Sequence, residues 1–182
     1  KNLEAAKSIL NVNLMIENCY QVLSEDLTRN QKNQTITDLI ECCLDQTRIH
    51  PFLETNLEQS FETMGTHHKE DFILELMNLI EKINESFWQY KDESFMIIQG
   101  IITSSKSKII NKKACRSLSI LGSKFKSLST RCIYEIDLLL DKDFSRDVQL
   151  YALQALSLIC YSWNDQKTIF SPLLKIIEKG EK

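Results

Sequence analysis

The sequence predicts an all-α protein whose helices stack in antiparallel pairs, an α-solenoid of about nine helices. A segment recurs at a fixed spacing, because Lys113 to Leu121 lines up with Tyr151 to Ile159, 38 positions further on. A period of about 40 residues with apolar positions at helical spacing is typical of stacked helix pairs. The 182 residues include four glycines and two prolines, fewer turn residues than a protein of many short strands requires.

The apolar positions of the two copies keep their register. Ala114, Leu118 and Leu121 correspond to Ala152, Leu156 and Ile159, while Ile98 and Ile101 correspond to Ile136 and Leu139 and again to Leu174 and Ile177. Such spacing indicates that each copy presents one apolar stripe to a neighbouring helix.

Four helices are predicted before residue 85. Residues 3–27 form the first, since apolar side chains recur along one face. A polar loop over 30–34 follows, and Thr35 or Thr37 caps the second helix. Pro51 suits the first turn of the third helix, which ends near Gly65. The fourth helix begins at Thr66 and extends to about residue 83.

Five helices are predicted after a break at 85–92, which carries Trp88 and Tyr90. We interpret these aromatics as packing between helix pairs, in preference to anchoring a partner. The pairs are 93–103 with 106–123 and 127–140 with 145–161, the latter opened by Ser145 as N-cap. The last helix begins at Pro172 and ends before Gly180.

The second of these pairs carries a recognisable residue pattern. It consists of Leu138-Leu139-Leu140-Asp141, then Asp147-Val148-Gln149, then Ala152, Ala155-Leu156 and Ile159. This pattern resembles a HEAT repeat, and the resemblance, HEAT or armadillo-like, covers roughly residues 93–179. The first pair lacks the aspartate and the valine, and the family's usual proline in the first helix is absent. The resemblance implies a superhelical scaffold whose second helices line a concave surface, and it implies no catalytic activity.

We expect residues 1–182 to form a single helical-repeat domain, with divergent helices over 1–92 and clearer repeats over 93–182. The chain begins at a lysine, so we expect it to be part of a larger protein. No run of about 18 uncharged apolar residues is present, so no membrane span is predicted. The six cysteines form no C-x-x-C pair and fall mostly on apolar faces. Buried reduced thiols favour the nucleus or the cytoplasm.

The distribution of charge is uneven. Between Glu93 and Glu135 there is no acidic residue, and the eight basic ones are Lys106, Lys108, Lys112, Lys113, Arg116, Lys124, Lys126 and Arg131. The whole chain has a formal charge of −3, so this +8 stretch leaves −11 for the remainder. Such an asymmetry indicates an anionic partner.

Helical geometry places part of this charge on one stripe. Lys108, Lys112 and Arg116 recur every four residues, and Arg116 lies about 160° around the helix from the core residue Ala114. The 38-residue offset predicts Arg146, Leu150 and Gln154 on one side of this stripe, and Glu70, Leu74 and Asn78 on the other. The candidate partner-binding residues are therefore Lys108, Lys112, Lys113, Arg116, Arg146, Gln154 and Asn78.

Three functions fit this stripe. The first is a non-enzymatic protein–protein interaction scaffold within a larger intracellular complex, which binds an acidic, phosphorylated or helical segment of a partner. The second is binding of a DNA or RNA backbone, disfavoured by the sequence pI of about 5.7 and by the few nearby aromatics. The third is a purely structural segment whose lysines are a solvated face. Neighbouring serines, such as Ser107 and Ser127, would weaken the positive potential if phosphorylated.

No catalytic or cofactor site is predicted. His67 and His68 precede two carboxylates, but no H-E-x-x-H motif or second ligand cluster accompanies them. Nucleotide-binding and nucleophile-elbow motifs are absent from the sequence. We therefore expect no enzyme activity, no metal and no cofactor. The identity of the partner and the oligomeric state stay open.

Overall fold

The computed structural model describes residues 14–48, 66–142, 145–164 and 167–180, and all regular structure in these ranges is helical. The helices are α1 (residues 14–24), α2 (Arg29–Arg48), α3 (Thr66–Ser86), a short 3-10 helix (Trp88–Tyr90), α4 (Lys91–Ser104), α5 (Lys108–Lys124), α6 (Lys126–Lys142), α7 (Arg146–Trp163) and α8 (Phe170–Gly180). The prediction of an all-α protein is confirmed. The third predicted helix, with Pro51 in its first turn and its end near Gly65, lies outside the described residues.

The chain divides into two compact units, Lys1–Ser104 and Ser105–Lys182. The division falls inside the first predicted pair, so that its first helix, α4, belongs to unit 1 and its second helix, α5, belongs to unit 2.

The predicted loop over 30–34 is wrong, because these residues lie inside α2 and the connection is 25–28. Thr28 precedes the helix, and its backbone N–H and its hydroxyl both donate to the Gln31 side-chain oxygen, at 3.2 and 2.8 Å. This is the side-chain-to-backbone half of a capping box, which satisfies a backbone donor at the helix start. The polar residues that suggested a loop lie mostly on the exposed side of the helix.

Unit 1 buries an apolar core between α2, α3 and α4, and Tyr90 joins α2 to this core. Its hydroxyl donates to the Asn33 carbonyl oxygen at 3.2 Å and lies 2.8 Å from the Thr37 hydroxyl. Tyr90 is therefore half-buried and packs within unit 1. Trp88 differs, because it is 60% exposed.

Unit 2 is built around α5, which packs against α6 and α7. Its apolar stripe is buried as the sequence predicts, and the residues are Ile110, Ala114, Leu118 and Leu121. The Ser107 hydroxyl accepts a hydrogen bond from the Ile110 N–H and caps the helix. Phe125 alone connects α5 to α6.

Helices α5 and α7 lie side by side and run in the same direction. Near their starts, Lys112 Nζ lies 3.9 Å from Asp147 Oδ2. Near their ends, a Cβ added to Gly122 would lie 2.8 Å from Ile159 Cδ1, and the Trp163 indole N–H donates to the Gly122 carbonyl oxygen. The absence of a side chain at Gly122 therefore allows the two helices to approach closely.

Helix α8 is attached to α6 by an ion-pair cluster. Lys175 Nζ lies 2.6 Å from Asp137 Oδ1 and 2.8 Å from Asp141 Oδ2, and Lys179 Nζ lies 3.3 Å from Asp141 Oδ1. Burial acts to lower the pKa of Lys175, but its hydrogen bonds to Asp137 and Asp141 outweigh this effect, and its pKa is raised. The hydrogen bond from Lys175 lowers the pKa of Asp141.

These shifts define a pH window for the attachment of α8. The contribution of Asp141 is present above the ordinary pKa of an aspartate and is lost as the pH falls through the lowered value. The contribution of Lys175 is present below the ordinary pKa of a lysine and is lost as the pH rises through the raised value. The cluster therefore stabilises α8 across neutral pH and weakens in acid and in strong alkali.

Replacing Lys175 by methionine is expected to loosen α8. The variant leaves Asp137, itself mostly buried, without its cation, and loss of hydrogen bonds to charged groups costs about 1.5 kcal/mol or more. Hydrogen exchange of the α8 amides should accelerate about tenfold at pH 7. Lys179→Met is the matched control, because the Lys179 side chain is 50% exposed and that of Lys175 only 17%. Equal exchange in the two variants would contradict the assigned role of Lys175.

Helix α8 does not bury the apolar residues that the 38-residue repeat predicts. Ile136 and Leu139 of α6 are fully buried, whereas their counterparts Leu174 and Ile177 are exposed. Helix α8 buries Pro172 and Ile176 instead, and Ile169, in the turn just before the helix, is buried as well. It is therefore turned about its axis relative to the orientation that a strict repeat of α6 predicts.

Candidate interaction surface

In the basic stripe of α5, Arg116 lies opposite the buried residues of the helix, as the helical spacing predicts, whereas Lys112 lies at the edge that faces α7, beside the buried Asn111 and Cys115. Lys108 and Arg116 are exposed, and Lys112 and Lys113 are half-buried. The four side chains fall within two and a half turns of one helix, so their charges act together on any ligand laid along it.

Lys112 is the point at which this stripe meets α7. Its ammonium lies 3.9 Å from Asp147 Oδ2 and 5.4 Å from the centre of the Tyr151 ring. The Asp147 side chain is 69% exposed, and an ion pair in that setting contributes little to stability. Lys112 is therefore held in place by weak contacts and can exchange Asp147 for another carboxylate at low cost.

The sequence predicts Arg146, Leu150 and Gln154 beside the basic stripe. All three are exposed on α7, the helix that packs against α5, although the α7 residues that contact Lys112 are their neighbours Asp147 and Tyr151. The remaining predicted residue, Asn78, is exposed on α3. It belongs to unit 1, with the half-buried Glu70 and Leu74.

The exposed side of α7 carries an apolar row, of which the sequence predicted Leu150 but not Leu158 and Tyr161. Leu150 is 53% exposed, Leu158 is 44% exposed and Tyr161 is 90% exposed. With Gln154 they recur at intervals of three or four residues, so they share one side of the helix, away from the buried Ala152, Leu156 and Ile159. We call the combined surface the α5–α7 face, formed by Lys108, Lys112, Arg116, Leu150, Gln154, Leu158 and Tyr161.

Four of the six thiols, those of Cys19, Cys43, Cys115 and Cys132, are buried, and none of the six cysteines forms a disulfide. Burial is the largest of the effects that raise the pKa of Cys19, Cys43 and Cys132 to about 12. The thiolate is the nucleophilic form of cysteine, so these three side chains do not serve as nucleophiles at neutral pH.

Metal-ligating groups do not cluster within the described ranges, where no group of three or more His, Cys, Asp or Glu side chains could hold an ion. A cleft of about 350 Å³ lies between α1 and α2 in unit 1. It is lined by Met15, Asn18, Gln21, Val22, Glu25, Thr35 and Asp38. This lining provides neither a paired nucleophile and base nor a basic group for a phosphate.

These observations define an all-helical protein whose most distinctive surface is a basic stripe beside an apolar row. Comparison of the chain with protein-family models, with curated proteins and with solved structures finds no match. Among the helices of the described ranges, none has both the length and the apolar character needed to cross a bilayer.

Proposed function

We propose that this chain is a non-enzymatic scaffold that binds an acidic segment of a partner protein through the α5–α7 face. The observation that carries the proposal is the arrangement of this face. Lys108 and Arg116 are exposed on either side of Lys112, in a stretch without any carboxylate from residue 94 to residue 134. Carboxylates and phosphates are the groups that lysine and arginine recognise most strongly.

The proposal includes a solenoid architecture of the HEAT or armadillo kind for unit 2. Two pairs of contacts support it: α5 with α7, and α6 with α8. They join residues 34 to 41 positions apart, including Lys112 with Asp147 and Lys179 with Asp141. Contacts between alternate helices at a nearly constant offset are typical of stacked helix pairs. A nuclear or cytoplasmic location within a larger complex is part of the same proposal, supported by six cysteines that form no disulfide.

Binding to DNA or RNA is the alternative, favoured by the eight basic residues and by the exposed ring of Tyr161, on which a base could stack. One feature of the face supports a protein partner more strongly. Leu150 and Leu158 are exposed apolar side chains, and they offer contacts that a sugar–phosphate chain does not use. The third possibility is a purely structural segment, whose face contacts only other parts of the same protein. It predicts that the face binds neither a separate peptide nor a nucleic acid.

Fluorescence anisotropy can separate these readings. Two labelled probes, a glutamate-rich peptide and a DNA duplex of the same net charge, are titrated with the protein at about 50 and about 200 mM salt. The proposal predicts tighter binding of the peptide and a modest effect of salt on it. Tighter binding of the duplex, falling by about 10³ or more between the two salt concentrations, would favour the alternative. Absence of binding to both probes would support the third possibility.

Asp147→Asn is expected to strengthen binding of the glutamate-rich peptide by about three- to tenfold. The change removes the carboxylate that competes for Lys112 and also removes a repulsive charge from the face. It should change the free energy of unfolding by less than about 0.5 kcal/mol relative to the wild type, because the lost ion pair is exposed. Asp92→Asn, an exposed change of the same charge in unit 1, is the control. Weaker peptide binding by Asp147→Asn would show that Asp147 itself contacts the partner.

A further inference from the structure

We infer that the partner segment is an amphipathic helix, with an acidic row that contacts α5 and an apolar row that contacts α7. This inference rests on the proposed function and specifies its ligand. It follows from three features of the α5–α7 face: the position of its apolar side chains, the spacing of its charges and its shortage of groups that bind a peptide backbone.

The apolar row is placed to receive a partner. Leu150, Leu158 and Tyr161 expose from 44 to 90% of their surfaces on the helix that packs beside the basic stripe. Contiguous exposed apolar patches with a polar rim mark interaction sites. A purely acidic, flexible segment would cover the lysines but leave these three side chains in water.

The geometry of two neighbouring helices suits a third. Packed helices lie about 8–10 Å apart, and the valley between them accepts another helix that contacts both. Lys108, Lys112 and Arg116 are spaced by one turn, about 6 Å along the axis. Glutamates at every fourth position of a partner helix repeat at that same distance, so each cation can meet one carboxylate.

The polar groups of the face favour a helix over an extended strand. An extended peptide leaves its backbone N–H and C=O groups to be satisfied by the receptor. In the apolar row the amide side chain that could bind a peptide backbone is that of Gln154, and the apolar Leu150 and Leu158 lie one turn away on either side. A helix satisfies its backbone internally, and therefore lies on this row without leaving unpaired polar groups.

The test compares two synthetic peptides of about 18 residues, long enough to form a helix. The helical peptide carries glutamates at every fourth position along one side and leucines along the adjacent side, on an alanine background. The blocked peptide is identical except that a central alanine is replaced by proline, which breaks the helix. Binding is measured by anisotropy with the whole chain, its Leu158→Ser/Tyr161→Ser variant and its Lys112→Glu/Arg116→Glu variant.

The inference predicts that the helical peptide binds at least about tenfold tighter than the blocked one. It also predicts that Leu158→Ser/Tyr161→Ser removes most of this preference, with unchanged circular dichroism because both side chains are exposed. If the two peptides bind equally well and both lose affinity for the Lys112→Glu/Arg116→Glu variant, the inference is overturned but the proposed function stands. If neither peptide binds, or if the affinity is the same for the Lys112→Glu/Arg116→Glu variant as for the wild type, both the inference and the proposed function are overturned.

Discussion

Gly122→Val is expected to destabilise unit 2 by about 3 kcal/mol. A Cβ at this position would lie 2.8 Å from Ile159 Cδ1 and 3.0 Å from Cys132 Cβ, so α6 and α7 crowd it from two sides. Helix propensity acts in the opposite direction, since glycine is the poorer helix former by up to about 1 kcal/mol. The steric term is larger, because Cys132 Cβ is fixed by the α6 backbone and valine adds two further methyl groups.

Urea unfolding followed by circular dichroism measures this effect. Ser157→Val is the matched control, because it places the same side chain at an exposed position of α7 and should change the free energy of unfolding by less than about 0.5 kcal/mol. Ile159→Val removes Cδ1, the atom that lies closest to the added Cβ. This change should lower the free energy of unfolding less in a Gly122→Ala background than in the wild type. A Gly122→Val protein as stable as the wild type would contradict the close packing of α5 on α7.

The Lys112→Glu/Arg116→Glu variant is expected to bind the helical acidic peptide about 100-fold more weakly at low salt. Each reversal replaces an attraction by a repulsion, and the two changes act on adjacent turns of one stripe. The fold should persist, because Arg116 is exposed and Lys112 makes only a weak ion pair with Asp147. Anisotropy titrations against the peptide measure the loss.

The control for charge reversal is Lys126→Glu/Lys167→Glu. It changes the net charge by the same amount, and both lysines are exposed in unit 2 but lie off the α5–α7 face. We expect this variant to lose less than about threefold in affinity, through the long-range field alone. Equal losses in the two double variants would show that the peptide responds to net charge and not to the stripe.

The elements that the sequence predicted best are those with a single apolar stripe and a clear cap. Helix α3 begins at the predicted Thr66, and α5 buries the predicted stripe, because only one side of each helix is apolar. The start of α2 was predicted too late because the polarity of residues 30–34 suggests a loop, whereas Thr28 and Gln31 begin the helix through their hydrogen bonds. The motif Thr-x-x-Gln was available in the sequence and would have corrected it.

Helices with apolar residues on two sides were harder to orient. Helix α8 carries Leu174 and Ile177 on one side and Pro172 and Ile176 on another, and periodicity alone does not choose between them. The structure buries the second set, and Lys175 then reaches Asp137 and Asp141. Leu158 and Tyr161 of the apolar row were not predicted for the same reason. The Lys112–Asp147 pair depends on a tertiary contact that no local pattern encodes.

The most direct test of the account is zero-length carbodiimide cross-linking followed by mass spectrometry. The reagent joins an amine to a carboxylate only where the two already lie in contact. The arrangement of unit 2 predicts cross-links from Lys112 to Asp147, from Lys175 to Asp137 and Asp141, and from Lys179 to Asp141, all within single chains. Cross-linking of Lys175 to Asp137 without any from Lys112 to Asp147, or of Lys112 to a carboxylate outside α7, would contradict the pairing of α5 with α7 on which the proposed binding face depends.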